Sequence, residues 1–451
     1  MEKKNAVSRR KFLGTAGAAG VIGTIGFSSF IASCAKDKNG KNIPEIEKLD
    51  QAPDGELLKA GLVGCGNRGT GAAFDFLNAG PNLQITALAD VFDDQVQLCR
   101  GKLKQNKNVD IPDNMCFTGF DAYKQLIDSG VDIVLLATPP HFRPEHLEAC
   151  VQAKKHVFME KPAAVDPVGI RSIIGSGKKA EAIGLSIVSG TQRRHQRDYL
   201  ETYRQIQMGA IGEPVAANAY WLQNHVWYRT RQDGWSDMEY MLRNWNNFRW
   251  LCGDHFLDTH VHNIDVINWF AGKQPVHAIG GGARHRRLTG DQYDFFSVDF
   301  YFGNGMHSHS MSRQIDNCAN ATAEHLMGTE GYTNCQNTIY NPDGSVKWQY
   351  EYPKDANGNE TKTVKVSAYV QEHVDLVTAI RTNQPLNETE DLALSTLTAI
   401  MGREAAYTGQ LLTWDQISKS SMRMGPSEYV MGPVDMKIET PVPGTPHGQT
   451  A

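Results

Sequence analysis

Two short stretches of this 451-residue chain bring acid, base and imidazole groups close enough to move protons. In Glu160-Lys161-Pro162 a lysine follows the apolar run His156-Val157-Phe158-Met159 and precedes a proline. The second stretch is Asp258-Thr259-His260-Val261-His262-Asn263-Ile264-Asp265. Read as one helix, Asp258, His262, Asp265 and Trp269 stand at i, i+4, i+7 and i+11 and share a face, while Val261, Ile264 and Ile267 face elsewhere. Two carboxylates and an imidazole on one face suit general acid–base chemistry. The same spacing fits equally well a helix capped by Asp258 with a core histidine. Asp258, His260 and His262 are also metal-donor types, but no fourth ligand stands at motif spacing, so no metal is expected.

A third motif, Gly64-Cys65-Gly66-Asn67-Arg68-Gly69, is a complete G-x-G-x-x-G. With 42 glycines in the chain such a match can arise by chance, so context decides. It follows the strand-like run Leu58 to Val63, opens a helical pattern, and has Asp90 ending the next strand 21 residues after Gly69. Gly64, Gly66 and Gly69 permit a tight turn and close approach of backbone to a pyrophosphate, with Asn67 and Arg68 at the helix start; Asp90 accepts hydrogen bonds from the adenosine ribose. Asp93 and Asp94 follow, and no Arg or Lys appears before Arg100, so a 2′-phosphate would meet like charge. NAD is expected, not NADP.

The elements that must position these groups alternate in kind. Strand-like runs at 58–63, 84–89, 131–137, 156–159 and 185–188 are separated by helical patterns at 70–78, 94–103, 122–129 and 144–153, which predicts a doubly wound parallel Rossmann sheet. Carboxyl ends of such strands face the ligand crevice. Thr138, His141, Glu160 and Lys161 all stand at such ends, beside the expected nicotinamide, which makes Lys161 a candidate base for a substrate hydroxyl. Glu160-Lys161 as a solvated surface pair is the blander alternative, and the flanking strand and Pro162 weigh against it. Beyond Gly190 the texture changes to long strand-like stretches at 215–222, 276–280, 295–302 and 305–311. The period-two pattern Phe296, Val298, Phe300, Phe302 predicts an α+β domain with a large, mainly antiparallel open sheet covered on one face. Its other face, with Tyr301 and Met306 in need of cover, is expected to make a homo-oligomer. Arg193, Arg194 and His195 follow the crossover strand and, with Arg243, Trp245 and Trp250, are expected to line the crevice; Arg193 and His195 are candidate substrate contacts.

Length alone implies two domains. The net charge of −5, from 45 Lys plus Arg against 50 Asp plus Glu, offers no basic field, so nucleic acid is excluded as a partner. The start of the chain, Ser8-Arg9-Arg10-Lys11-Phe12-Leu13, a Gly- and Ala-rich apolar stretch, and Ile31-Ala32-Ser33-Cys34, resembles a twin-arginine signal with a lipobox. At about 20 residues the stretch is marginal for a permanent span. The expectation is export by the twin-arginine route to the periplasm, with membrane contact only through a lipid anchor at Cys34. The other seven cysteines are scattered without a C-x-x-C pair, as in a protein folded before export. The expected order is signal 1–34, linker 35–56, Rossmann domain 57–185, catalytic and oligomerisation domain 186–425, and tail 426–451.

Together the fingerprint, Glu160-Lys161-Pro162 and Asp258-x-x-x-His262-x-x-Asp265 resemble the glucose-fructose oxidoreductase, inositol dehydrogenase and rhizopine catabolism (Gfo/Idh/MocA) family over residues 57 to about 420. The resemblance implies NAD-dependent oxidation of a ring hydroxyl of a small carbohydrate, with Lys161, Asp258 and His262 as the catalytic group: Lys161 or His262 as base, Asp258 orienting substrate or imidazole. One departure is His260, where many members carry glycine. Thr259-His260 resembles the T-H pair of the family's NAD-dependent glycosidases, which implies an alternative activity through oxidation, elimination, water addition and reduction with tightly bound NAD, and makes His260 a further substrate candidate. Leu257 stands where those enzymes have tyrosine.

Overall fold

The computed structural model describes residues 34–36, 42–44, 48–361 and 363–445. The signal reading ahead of Cys34 lies outside the described residues.

Six parallel strands form the first sheet: β1 (Leu58–Val63), β2 (Leu83–Asp90), β3 (Cys116–Thr118), β4 (Ile133–Leu136), β5 (His156–Met159) and β6 (Ile187–Ser189). Their spatial order is β3-β2-β1-β4-β5-β6, so the chain reverses direction of growth between β1 and β4 and leaves a crevice at the carboxyl ends there. β4 is buried at every position, and its run Ile-Val-Leu-Leu has no polar alternation because helices cover both faces. Those helices include α1 (Asn67–Asn78), α2 (Asp93–Lys107), α3 (Ala122–Asp128), α4 (Arg143–Gln152) and α5 (Pro167–Ala182). The parallel sheet runs past the expected boundary at 185, because β6 pairs with β5.

The second domain continues with α6 (Arg197–Gln207), β7 (Pro214–Gln223), α7 (Asp237–Arg243), α8 (Arg249–Cys252), α9 (His255–Asp258) and α10 (Val261–Ala271). Then come β8 (His277–Ala283), β9 (Phe295–Tyr301), β10 (His307–Gln314), β11 (Ala321–Gly328), β12 (Gly331–Thr333), β13 (Thr338–Tyr340) and β14 (Val346–Gln349), followed by α11 (Ala368–Arg381), α12 (Thr389–Thr408), β15 (Leu412–Thr413) and α13 (Trp414–Lys419). Nine strands make its sheet, ordered β14-β13-β12-β11-β7-β10-β9-β8-β15. All pairings are antiparallel except β10 with β7. Phe296, Val298 and Phe300 point inward against α12, and Gly402 of that helix allows the approach, since a Cβ there would meet the Phe300 ring at 2.6 Å.

One expectation is corrected. Met306 is 1% exposed, because the turn Gly303 to Gly305 interrupts the alternation and folds Met306 inward, whereas Tyr301 faces outward. The end of the linker packs: Ala52 is buried, and Lys48 pairs with Asp375 of α11. The tail packs too: Tyr429, Val434, Met436 and Ile438 join a cluster with Trp250, Phe142 and Phe120 across the domain boundary.

Candidate active site

Strand β1 ends in a glycine turn whose shape is forced by contact. Gly64 has φ 99°, and a Cβ on Gly69 would lie 1.8 Å from the carbonyl oxygen of Gly64. At Gly66 a Cβ would meet nothing within 4 Å, so that face of the turn is open. Asp90, at the end of β2, accepts from the backbone N–H of Cys65 at 2.7 Å and of Phe92 at 3.0 Å, which fixes the turn against the neighbouring strand. Burial raises its pKa, and these N–H groups oppose that. Above the turn lies a cleft of about 530 Å³ lined by Gly64, Gly66, Asn67, Arg68, Asp90 and Thr138 among others, within the range of cofactor pockets. An open glycine cradle, a helix N-terminus and a strand-end carboxylate facing one cleft fit NAD: the turn and the α1 N–H groups would hold the pyrophosphate, and Asp90 the adenosine ribose.

Arg68 links this cleft to the chemistry. Its Nε pairs with Glu160, its Nη1 lies 3.1 Å from Asp75 and its Nη2 lies 3.6 Å from Glu372. Glu160 therefore acts through Arg68 and does not line the cleft. The next residue, Lys161, donates from Nζ to the backbone oxygen of Asp258 and stands 3.8 Å from Oδ1 of that residue. Asn246 Nδ2 donates to Asp258 Oδ2 at 3.2 Å. His262 stacks on Trp221 with ring centroids 5.8 Å apart. Burial, then the charges of Lys161, Arg193 and Arg68, push its pKa well below the ordinary imidazole value and keep it neutral. Lys161 and Asp258 thus touch where the Rossmann sheet abuts the second domain, and the Lys161 charge is felt at His262.

The single-helix reading of 258–269 is corrected. The chain forms one short turn to Asp258, then restarts at Val261, and α10 is buried on nearly all sides. The break separates neighbouring residues by fate. His260 is fully buried, with Nε2 2.6 Å from Ser310 Oγ of β10, so it supports the sheet and is no substrate contact. Asp265 is not in the proton-transfer group, because it accepts a forked pair from Arg194 at 2.9 to 3.1 Å and a bond from Ser395. His195 is also withdrawn from the substrate: it is fully buried, 2.6 Å from Asp375 and 3.3 Å from Glu388. Burial alone would lower its pKa, but the two carboxylates outweigh that and raise it to about 10.

His141 does not face the cleft either. Its Nε2 is 2.7 Å from Tyr429 Oη of the tail, and burial pushes its pKa down to about 3. Thr138 does line the cleft and bonds His146 at 3.3 Å. Arg193 reaches toward the site, held by Glu324 at 2.7 Å and lying over the Trp221 ring at 5.7 Å. Of the expected crevice residues, Arg243 and Trp245 line the cleft, whereas Trp250 is buried against His141. Asn246, Trp221 and Glu324 were missed, since their partners lie 12 to 131 residues away and no local pattern marks them.

Residues 58–187 match the model of the oxidoreductase family with an NAD-binding Rossmann fold, and residues 199–333 match the GFO/IDH/MocA C-terminal domain. The chain is 26% identical over 226 residues to the myo-inositol 2-dehydrogenase of Thermotoga maritima, covering 50% of this chain and 58% of that protein. It is 25% identical over 232 residues to the 2,7-anhydro-N-acetylneuraminate hydratase of Escherichia coli, covering 51% and 54%. The matches thus span little more than half the length of these curated relatives. In fold it is similar to an aldose-aldose oxidoreductase of Caulobacter crescentus (TM-score 0.60, 19% identity, 79% of this chain and 99% of that one). It is similar also to a scyllo-inositol dehydrogenase of Lactobacillus casei solved with NAD(H) and scyllo-inositol (TM-score 0.58, 19% identity, 79% and 99%).

Proposed function

The chain belongs to the Gfo/Idh/MocA oxidoreductase family, and on that premise we propose that it oxidises a ring hydroxyl of a sugar or glycoside. The observation that carries this reading is the contact of Lys161, from the NAD-binding sheet, with Asp258 of the second domain, one turn before His262. NAD, when bound, supplies the hydride acceptor. Neutral His262 is free to take the hydroxyl proton at a ring nitrogen, and Lys161 Nζ, anchored on Asp258, orients the hydroxyl oxygen. Asn246 holds the Asp258 carboxylate in register. The relatives named for myo-inositol and for 2,7-anhydro-N-acetylneuraminate support a polyhydroxylated ring as substrate.

The hydratase likeness favours a second reading, a glycosidase in which the redox cycle closes on the protein and NAD is not consumed. Purified enzyme given NAD and a panel of inositols, free sugars and aryl glycosides separates the two. Accumulating NADH is expected for the dehydrogenase. Aglycone release in deuterated water, with deuterium incorporated and no NADH accumulating, would replace it by the glycosidase.

Export by the twin-arginine route to the periplasm with lipid attachment at Cys34 is part of the proposal, resting on Arg9-Arg10 and the lipobox. So is a homo-oligomer through the outer sheet face, supported by Ile279, 51% exposed, in register beside Asp299 and near Tyr301.

A further inference from the structure

The Rossmann domain lines most of the cofactor cleft and builds one wall of it. Asp90, Phe92, Gln95 and Leu98 form it at the adenosine end. The facing wall comes from the second domain, from Trp227, Tyr228, Arg229, Arg243 and Trp245. Around that end large apolar side chains stand open: Trp227 and Tyr228 are each 45% exposed and Leu98 is 50% exposed. Apolar surface left open at the mouth of a concave site marks what a ligand covers.

The second wall is built, not draped. Asn247 Nδ2 donates to the backbone oxygen of Trp227 at 3.2 Å, and the backbone N–H of Arg229 donates to Asn244 Oδ1 at 2.6 Å. Both asparagines are fully buried, so the loop that carries the two aromatics is pinned from below. Trp245 supports Trp227 at a 67° interplanar angle, with centroids 6.4 Å apart. Arg243 then fastens this wall to the Rossmann domain. Its guanidinium makes a forked pair with Asp94 at 3.0 and 3.1 Å, lies 3.9 Å over the Phe92 ring, and is held from its own helix by Glu239 at 2.9 Å. Two carboxylates occupy that cation, which leaves it unsuited to a 2′-phosphate, in keeping with NAD.

With Asp90 assigned to the ribose, the group next to it is the flat adenine ring, whose π-face aromatic side chains can cover. We propose that Trp227 and Tyr228, with Leu98 opposite, form an adenine subsite contributed by the second domain, and that the Arg243–Asp94 pair keeps that subsite closed, so that NAD is held as a resident cofactor. The inference rests on the NAD-dependent reading above and adds to it the residues that set the cofactor's residence time.

The test uses the full chain loaded with NADH, with energy transfer from tryptophan to bound NADH as signal and excess NAD as displacer. Dissociation from Arg243→Ala, Asp94→Ala and the double variant Trp227→Ala/Tyr228→Ala is expected to be at least about tenfold faster than from wild type, equivalent to about 1.4 kcal/mol. Affinity for AMP is expected to fall in these variants while affinity for nicotinamide mononucleotide holds, and Arg243→Lys is expected to recover part of the retention. Equal dissociation rates in wild type and all variants, or equal losses for AMP and nicotinamide mononucleotide, would overturn the subsite while leaving the NAD reading standing. Wild-type protein that binds no NADH would overturn both.

Discussion

The guanidinium of Arg68, on the glycine turn after the first strand, is ion-paired with the carboxylate of Glu160, the residue before Lys161 at the end of the fifth strand. Ninety-two positions apart in sequence, the two join the floor of the cofactor cleft to the residue next to Lys161. Glu372 of the helix after the second sheet stands on the other side of Arg68, fully buried, where burial raises its pKa well above the usual carboxylate value. Arg68 is thus the shared cation of three elements.

Arg68→Ala strands Glu160, which is 3% exposed, without its partner. The expected cost is on the order of 2–3 kcal/mol in stability, as for a charged hydrogen bond broken from one side. Weaker NADH binding should accompany it. Glu160→Gln, which keeps an acceptor for the guanidinium, should cost less than half as much. Thermal melts and NADH titrations of the two variants check this, and a larger loss for Glu160→Gln would contradict the pairing.

His195 separates a structural from a substrate role. Its imidazolium sits between Asp375 and Glu388 with no exposed surface, so His195→Ala leaves two buried carboxylates facing each other. A loss of about 3–5 kcal/mol is expected, with KM for sugar unchanged in the folded fraction. A raised KM at unaltered melting temperature would return His195 to the substrate site.

How far the sequence carried this reading follows from the range of each interaction. The glycine turn, the strand-end positions of Asp90, Thr138 and Lys161, and the helices at 122–128 and 143–152 are set by patterns within about 20 residues, and all were legible. His260 and His262 show the limit. Both belong to one motif, yet the chain breaks between Asp258 and Val261 and sends one imidazole to Ser310 and the other to Trp221. No period in the sequence marks that break, because the partners of the two imidazoles lie on the sheet, outside the motif. Arg194 with Asp265 and His195 with Glu388 were illegible for the same reason: their partners are brought together only by the packing of α10 to α12 on the crossover. Arg243 is expected on the crevice from the sequence, but its pairing with Asp94 is not, since the absence of a cation between Asp90 and Arg100 says nothing of one arriving from the other domain.

Stability should fall on both sides of neutrality, for opposite reasons. His141, His146 and His260 are buried with pKa values of about 3, below the unfolded value of about 6.5, so the stability from keeping them neutral is complete above 6.5 and drains away as pH falls. Between pH 7 and 5 each should lose on the order of 2 kcal/mol. His195 is raised to about 10, so its contribution is complete below 6.5 and drains away as pH rises toward 10. Asp375, held at about 2, contributes equally across pH 5 to 7. Melting temperature against pH should peak near neutrality, and His260→Gln should flatten the acid limb. An acid limb unchanged by that variant would contradict the assignment.

The catalytic assignment is tested most directly by a single turnover on the protein. Purified wild type, Lys161→Ala and His262→Ala are each loaded with NAD, mixed with the substrate panel, and followed by the near-ultraviolet absorbance of NADH. Wild type is expected to reduce its bound NAD within the mixing experiment. Both variants are expected to bind NAD with wild-type affinity and to reduce it at least about 1,000-fold more slowly, the loss of a positioned acid–base group. Variants that reduce NAD at the wild-type rate, or that fail only because they no longer bind it, would contradict the roles given to Lys161 and His262.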